Sequence, residues 1–105
     1  MQANRLSRIR VMLPFHLQTL AGVGPEVQID VAGTPTQQSL IAALETRYPT
    51  LSGAIFDPLS RKRRPLIRFF ACQQDISFEP QDRALPAAVV EGKEAFFIVG
   101  AISGG

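Results

Sequence analysis

A chain of 105 residues has the length of one domain, and its 46% apolar against 19% charged residues let it bury a core, which excludes a disordered segment. The formal net charge of +2 is mild and does not call for nucleic acid, whose partners carry a concentrated basic stripe. A single cysteine, Cys72, excludes an internal disulfide and a cysteine-built metal site, as befits a reducing cytosol.

The first seven residues are expected to be flexible, and no signal-peptide pattern follows them, because Pro14 and His16 interrupt the apolar stretch. No apolar run approaches the ~20 residues that span a bilayer. A cytoplasmic protein without membrane contact is expected. Residues 8–13, RIRVML, alternate as a half-buried strand does: Arg8, Arg10 and Met12 on one face, Ile9, Val11 and Leu13 on the other. FHLQTLAGVG allows a turn of helix before its glycines, and EVQIDV alternates again, so the two strands are expected to pair antiparallel.

Gly33-Thr34-Pro35 reads as a turn and Thr36 as an N-cap. The following QQSLIAALETRY places Leu40, Ile41, Leu44 and Tyr48 on one helical face, and Pro49 ends it. Leu51, Ile55 and Phe56 are expected to pack on that helix, ahead of a solvated loop carrying Arg61-Lys62-Arg63-Arg64. LIRFFAC reads as a strand, QQD as its turn and ISF as a short return strand. An irregular connection then leads to the last strand, AFFIV. One helix covers one face of such a sheet, so the expected class is a two-layer α+β domain over residues 1–99, with the other face open.

Period two assigns that open face. Arg68 in mid-strand faces solvent and takes Phe70 with it, while Ile67, Phe69 and Ala71 enter the core. The last strand contributes Phe96 and Ile98 inward, leaving Ala95, Phe97 and Val99 outward, and the first adds Arg8, Arg10 and Met12. An apolar patch of Phe70, Phe97 and Met12 ringed by Arg10 and Arg68 reads as a surface for a partner protein. His16 and Cys72 lack the neighbours of a catalytic constellation, and Cys72 is expected to be a buried, inert thiol. Residues 100–105, GAISGG, read as a separate flexible tail. A terminal glycine pair arises by chance in roughly 0.5% of chains.

A one-helix grasp of a sheet whose last strand leads into Gly-Gly resembles the ubiquitin-like β-grasp sulfur carriers of the MoaD/ThiS family. The resemblance spans Ile9 to Gly105 and is carried by VMLPFHLQTLAG, by T-x-x-x-LIAALETRYPTL, by FFACQQDISF and by FFIVGAISGG. LETRYP followed by FDP is similar to the branch serving cysteine synthesis. The chain departs from the family at Cys72, where Asn is common, at the turn residues Gln73 and Gln74, and at Gly100, where proline is common.

The resemblance implies a mixed sheet of four to five strands with one main helix on one face, and a carrier, not an enzyme. It implies that an E1-like adenylyltransferase uses ATP to adenylate the carboxylate of Gly105, which becomes a thiocarboxylate, the carrier itself binding no cofactor or metal. It further implies a sulfur-accepting synthase, either the large subunit of molybdopterin synthase or a cysteine synthase. A terminal carboxyl with an ordinary pKa near ~3.5 is ionised at neutral pH and ready to attack a phosphate. Residues Gly100, Ala101, Ile102, Ser103 and Gly104 would thread a narrow channel, where missing Cβ atoms remove collisions. The alternative is a ubiquitin-like modifier joined to lysines through Gly105, or a module that only binds.

Overall fold

The computed structural model describes residues 5–100; residues 1–4 and 101–105 lie outside the described residues, and with them Ala101, Ile102, Ser103, Gly104 and Gly105. Strand β1 (Leu6–Met12) pairs antiparallel with β2 (Glu26–Ala32). Their register matches Ile9 with Ile29 and Val11 with Val27, so apolar residues meet apolar residues on the core face. Strand β1 begins earlier than the alternation of residues 8–13 indicated. Leu6 pairs with Ala32 and Ser7 with Val31, and the Gly33 amide donates to the Arg5 carbonyl at 3.1 Å, so these positions are part of the ladder.

Helix α1 (Phe15–Ala21) joins the two strands with Leu17 buried. Helix α2 (Gln37–Arg47) starts where the sequence placed it. Thr36 Oγ1 accepts from the Ser39 amide at 3.0 Å while Ser39 Oγ accepts from the Thr36 amide at 2.8 Å, a reciprocal cap that satisfies two otherwise orphaned donors. Leu40, Ile41 and Leu44 are fully buried on one face of α2. Beyond Pro49, the buried Leu51, Ile55 and Phe56 close the core, and Phe69 stands between Phe56 and Phe96 with ring centroids 6.2 and 5.1 Å away.

The basic loop is not simply solvated. Arg63 donates to the carbonyls of Ile67 (2.6 Å), Arg64 (3.3 Å) and Ser77 (3.3 Å), and Arg64 donates to Gly53 O at 2.6 Å. Two of the four basic residues are therefore internal tethers, satisfying carbonyls that a loop leaves without ladder partners.

Strand β3 (Ile67–Ala71) turns into β4 (Gln74–Asp75) through Cys72 and Gln73 alone, whose φ angles of 52° and 65° suit a two-residue hairpin turn. Two expectations fail here. The return strand is Gln74–Asp75 and not Ile76–Phe78, because Asp75 Oδ1 accepts from the Ser77 amide (2.9 Å) and bends the chain off the ladder. Cys72 is exposed at the turn and not buried, since the tight turn projects it from the sheet.

The connection after β4 is not wholly irregular: it contains the short helix α3 (Ala87–Val90) with Val89 buried. Strand β5 is Phe96–Gly100. Ala95, expected outward, is buried just before it. Gly100, expected in the tail, is the last residue of β5 and pairs with Ile67. The five strands lie in the order β2-β1-β5-β3-β4, with β5 parallel to β1 and antiparallel to β3. Strand β5 is thus central, and its C-terminal end lies at the same end of the sheet as that of β1.

Candidate functional site

The register assembles the open face. Phe97 pairs with Met12 on one side and Phe70 on the other, and the row continues to Glu26 on β2 and Asp75 on β4. One line across five strands therefore reads Glu26, Met12, Phe97, Phe70, Asp75, an apolar centre with a carboxylate at each end. Val99 lies opposite Arg68 in the next row on this face. Phe97 is 41% and Val99 39% exposed, while Met12, Phe70, Arg10 and Arg68 are half-buried. Phe70, Gln73, Glu94, Phe97 and Val99 line a shallow groove of about 490 Å³.

Each carboxylate holds one of the arginines that border the patch. Arg10 Nε donates to Glu26 Oε2 at 3.1 Å and Nη2 to Oε1 at 3.3 Å, and the hydrogen bond from Arg10 holds Glu26 below the usual carboxylate range. Arg68 Nη1 donates to Asp75 Oδ2 at 2.8 Å. Asp75 is held low chiefly by hydrogen bonding from Ser77 and then by Arg68. Arg68 and Arg63 both approach Phe78, their guanidinium carbons 5.1 and 4.9 Å from the ring centroid, which limits where Arg68 swings. The arginines are oriented and partly neutralised, and the groove on this face sets Phe70, Phe97 and Val99 beside the polar Gln73 and Glu94. Among the described residues no group of three or more His, Cys, Asp or Glu side chains is placed to hold a metal.

Among the expected site residues, Phe70, Phe97, Arg68, Met12 and Arg10 thus come together on one face, and Gly100 ends the strand through its middle. The sequence reading did not find the two edge carboxylates, the contribution of Glu94 and Gln73 to the groove, or the contact between His16 and Gly100. A Cβ added to Gly100 would stand 2.7 Å from His16 Cε1. Only Glu26 carried a signal: it sits at outward parity in an alternating strand.

No protein-family model and no curated protein matches the chain. Solved structures do. SAMP1 from Haloferax volcanii superposes with a TM-score of 0.72 at 21% identity, covering 93% of this chain and 99% of its own. CysO of Amycolatopsis orientalis, solved in complex with BexX, gives 0.70 at 20% identity, covering 91% and 98%. Urm1 from Trypanosoma brucei gives 0.64 at 19% identity, covering 96% and 98%.

The fold is the ubiquitin-like β-grasp. It is the fold that the resemblance to the MoaD/ThiS family implies. In β-grasp terms the open face is the side of the sheet away from α2, and on it Phe97 of β5 lies between Met12 and Phe70. No helix among the described residues is long and apolar enough to cross a membrane.

Proposed function

We propose that this β-grasp protein is a sulfur carrier whose Gly105 carboxylate is the reacting group and whose open face docks the enzymes that act on it. The observation that supports this most is the position of β5. The strand leading to AISGG is the central one, and the exposed Phe97–Val99 groove flanks its last residues. An enzyme seated on the groove receives the chain end at once, because both features belong to one strand.

In the proposed cycle an E1-like adenylyltransferase supplies ATP, one carboxylate oxygen of Gly105 attacks the α-phosphorus, and pyrophosphate leaves. Hydrosulfide then attacks the acyl carbon, AMP leaves, and a thiocarboxylate remains. The acceptor is a molybdopterin synthase large subunit or a cysteine synthase, and the proposed cycle runs in the cytoplasm, where ATP is at hand. The carrier contributes recognition and a handle, and the partners contribute the catalytic groups. Covering the exposed remainder of Phe97 and Phe70 is worth on the order of 1 kcal/mol each.

A second reading is favoured by one observation: three of the structures of like fold, the Haloferax volcanii SAMP1 among them, are of small archaeal modifier protein 1. In that reading Gly105 forms an isopeptide bond with lysines of target proteins. Incubation with ATP, sulfide and the host's activating enzyme, followed by intact mass measurement, separates the two. Exchange of one oxygen for sulfur at the C-terminus is the expected result, and lysine conjugates in its place favour the modifier. Neither product, together with full cellular function after deletion of Gly105, refutes both readings.

A further inference from the structure

We propose that His16 is a positioning residue for the chain end: its imidazole, seated against Gly100, sets the direction in which the chain leaves β5. The topology brings the two together. Met12 pairs with Phe97 in the parallel ladder of β1 and β5, and β1 leads through Leu13 and Pro14 into α1, so the start of α1 lies at the end of the sheet where β5 finishes. Helix α1 is held in place by the buried Leu17, by Gln18 Nε2 donating to Leu13 O (2.9 Å), and by Thr50 Oγ1 donating to Leu20 O (2.7 Å).

Alternation turns residue 100 toward the core face, since Phe96 and Ile98 are buried while Phe97 and Val99 are exposed. His16 takes the place a side chain at 100 would occupy. A Cβ there would meet its Cε1 at 2.7 Å, Nδ1 at 3.3 Å and Nε2 at 3.8 Å. Gly100 is not among the glycines with positive φ, so its backbone does not demand glycine; a side chain there would instead have to displace the exposed His16 ring. Where the resembling family has a proline, this chain sets a ring from α1 beside a glycine, and the Cβ of a proline would meet that ring unless it swung aside.

The effect on sulfur loading rests on the carrier reading; the geometry does not. Loading by the activating enzyme is measured as kcat and KM for wild type, His16→Ala, His16→Phe, Gly100→Ala and the double variant His16→Ala/Gly100→Ala, alongside the thermal midpoint of each. His16→Ala is expected to lower kcat/KM about fivefold with the midpoint unchanged, and His16→Phe to restore most of it by replacing the ring. Gly100→Ala is expected to lose about tenfold, and the double variant to load better than Gly100→Ala alone, because the collision is gone. Equal loading by His16→Ala and wild type, or no gain in the double variant, overturns the proposal. If Gly100→Ala does not fold, the two His16 variants decide. If wild type is not loaded at all, the carrier reading fails, and NMR still decides the positioning. The ring-current shift of the Gly100 Hα protons and the Ala101 amide residual dipolar coupling must both change in His16→Ala, and unchanged values overturn it.

Discussion

Glu26 and Asp75 close the two ends of one row of side chains, and their carboxylates couple that row to pH. Both are held below their ordinary values of 4.5 and 3.8, Glu26 first by the Arg10 hydrogen bond and Asp75 first by Ser77. A depressed folded-state pKa means that the unfolded chain takes up protons first as pH falls. The stability these groups contribute is therefore present above their ordinary values and is lost as pH falls through the lower folded ones. Urea midpoints are expected to be flat near neutrality and to drop below about pH 5. Glu26→Gln and Asp75→Asn should each lower the midpoint at neutral pH and make progressively less difference as pH falls below the ordinary carboxylate range, which flattens the curve. A curve as steep in both variants as in wild type would contradict the assignment. The outward parity of Glu26 was legible in the sequence, whereas Asp75 was read as part of a turn; their arginine partners were not legible, because a long side chain reaches a neighbouring strand only after register has been chosen.

Among the elements, the β3–β4 hairpin shows most directly how local chemistry overrides pattern. Ile76-Ser77-Phe78 alternates like a strand, yet Asp75 accepts from the Ser77 amide, and the Ser77 hydroxyl accepts from the Phe69 amide at 2.8 Å. A side chain thus takes the place of a ladder acceptor, and the strand ends at Asp75. The same hairpin holds Cys72 and Gln73 at positive φ, a conformation that costs non-glycine residues on the order of 1 kcal/mol each. Cys72→Asn with Gln73→Gly, the pair suited to this turn, is expected to stabilise the protein by about 1 kcal/mol, read as a raised urea midpoint at constant m-value. The cap of α2 gives the opposite test. Thr36→Ala should cost about 1 kcal/mol and Thr36→Ser almost nothing, because only the hydroxyl that receives the Ser39 amide matters. That cap was readable from Thr36 following Gly33-Thr34-Pro35, since capping is decided within four residues.

For the whole molecule, the consequence of the sheet order is an apolar row, Met12, Phe97 and Phe70, that no single strand possesses. Phe97→Ala should weaken binding to the adenylyltransferase about tenfold, or ~1.4 kcal/mol by calorimetry, with the thermal midpoint almost unmoved, because this ring is already 41% exposed. Undiminished affinity would remove the groove from the docking surface. Raising salt should slow association more in wild type than in Arg10→Met, since a bordering charge acts mainly on encounter. The sequence by itself determined which residues of β1, β2 and β3 face the core, where α2 begins and ends, and that Phe70, Phe97 and Met12 point away from the helix. All of these follow from periods and caps that operate over a few residues. Only the tertiary structure decided that β5 enters between β1 and β3, parallel to one and antiparallel to the other. That choice joins Met12, Phe97 and Phe70 into a row and brings α1 to the end of β5, where His16 meets Gly100. Strand partnering depends on which long-range pairing buries the core best, and alternation carries each strand's faces without naming its neighbour.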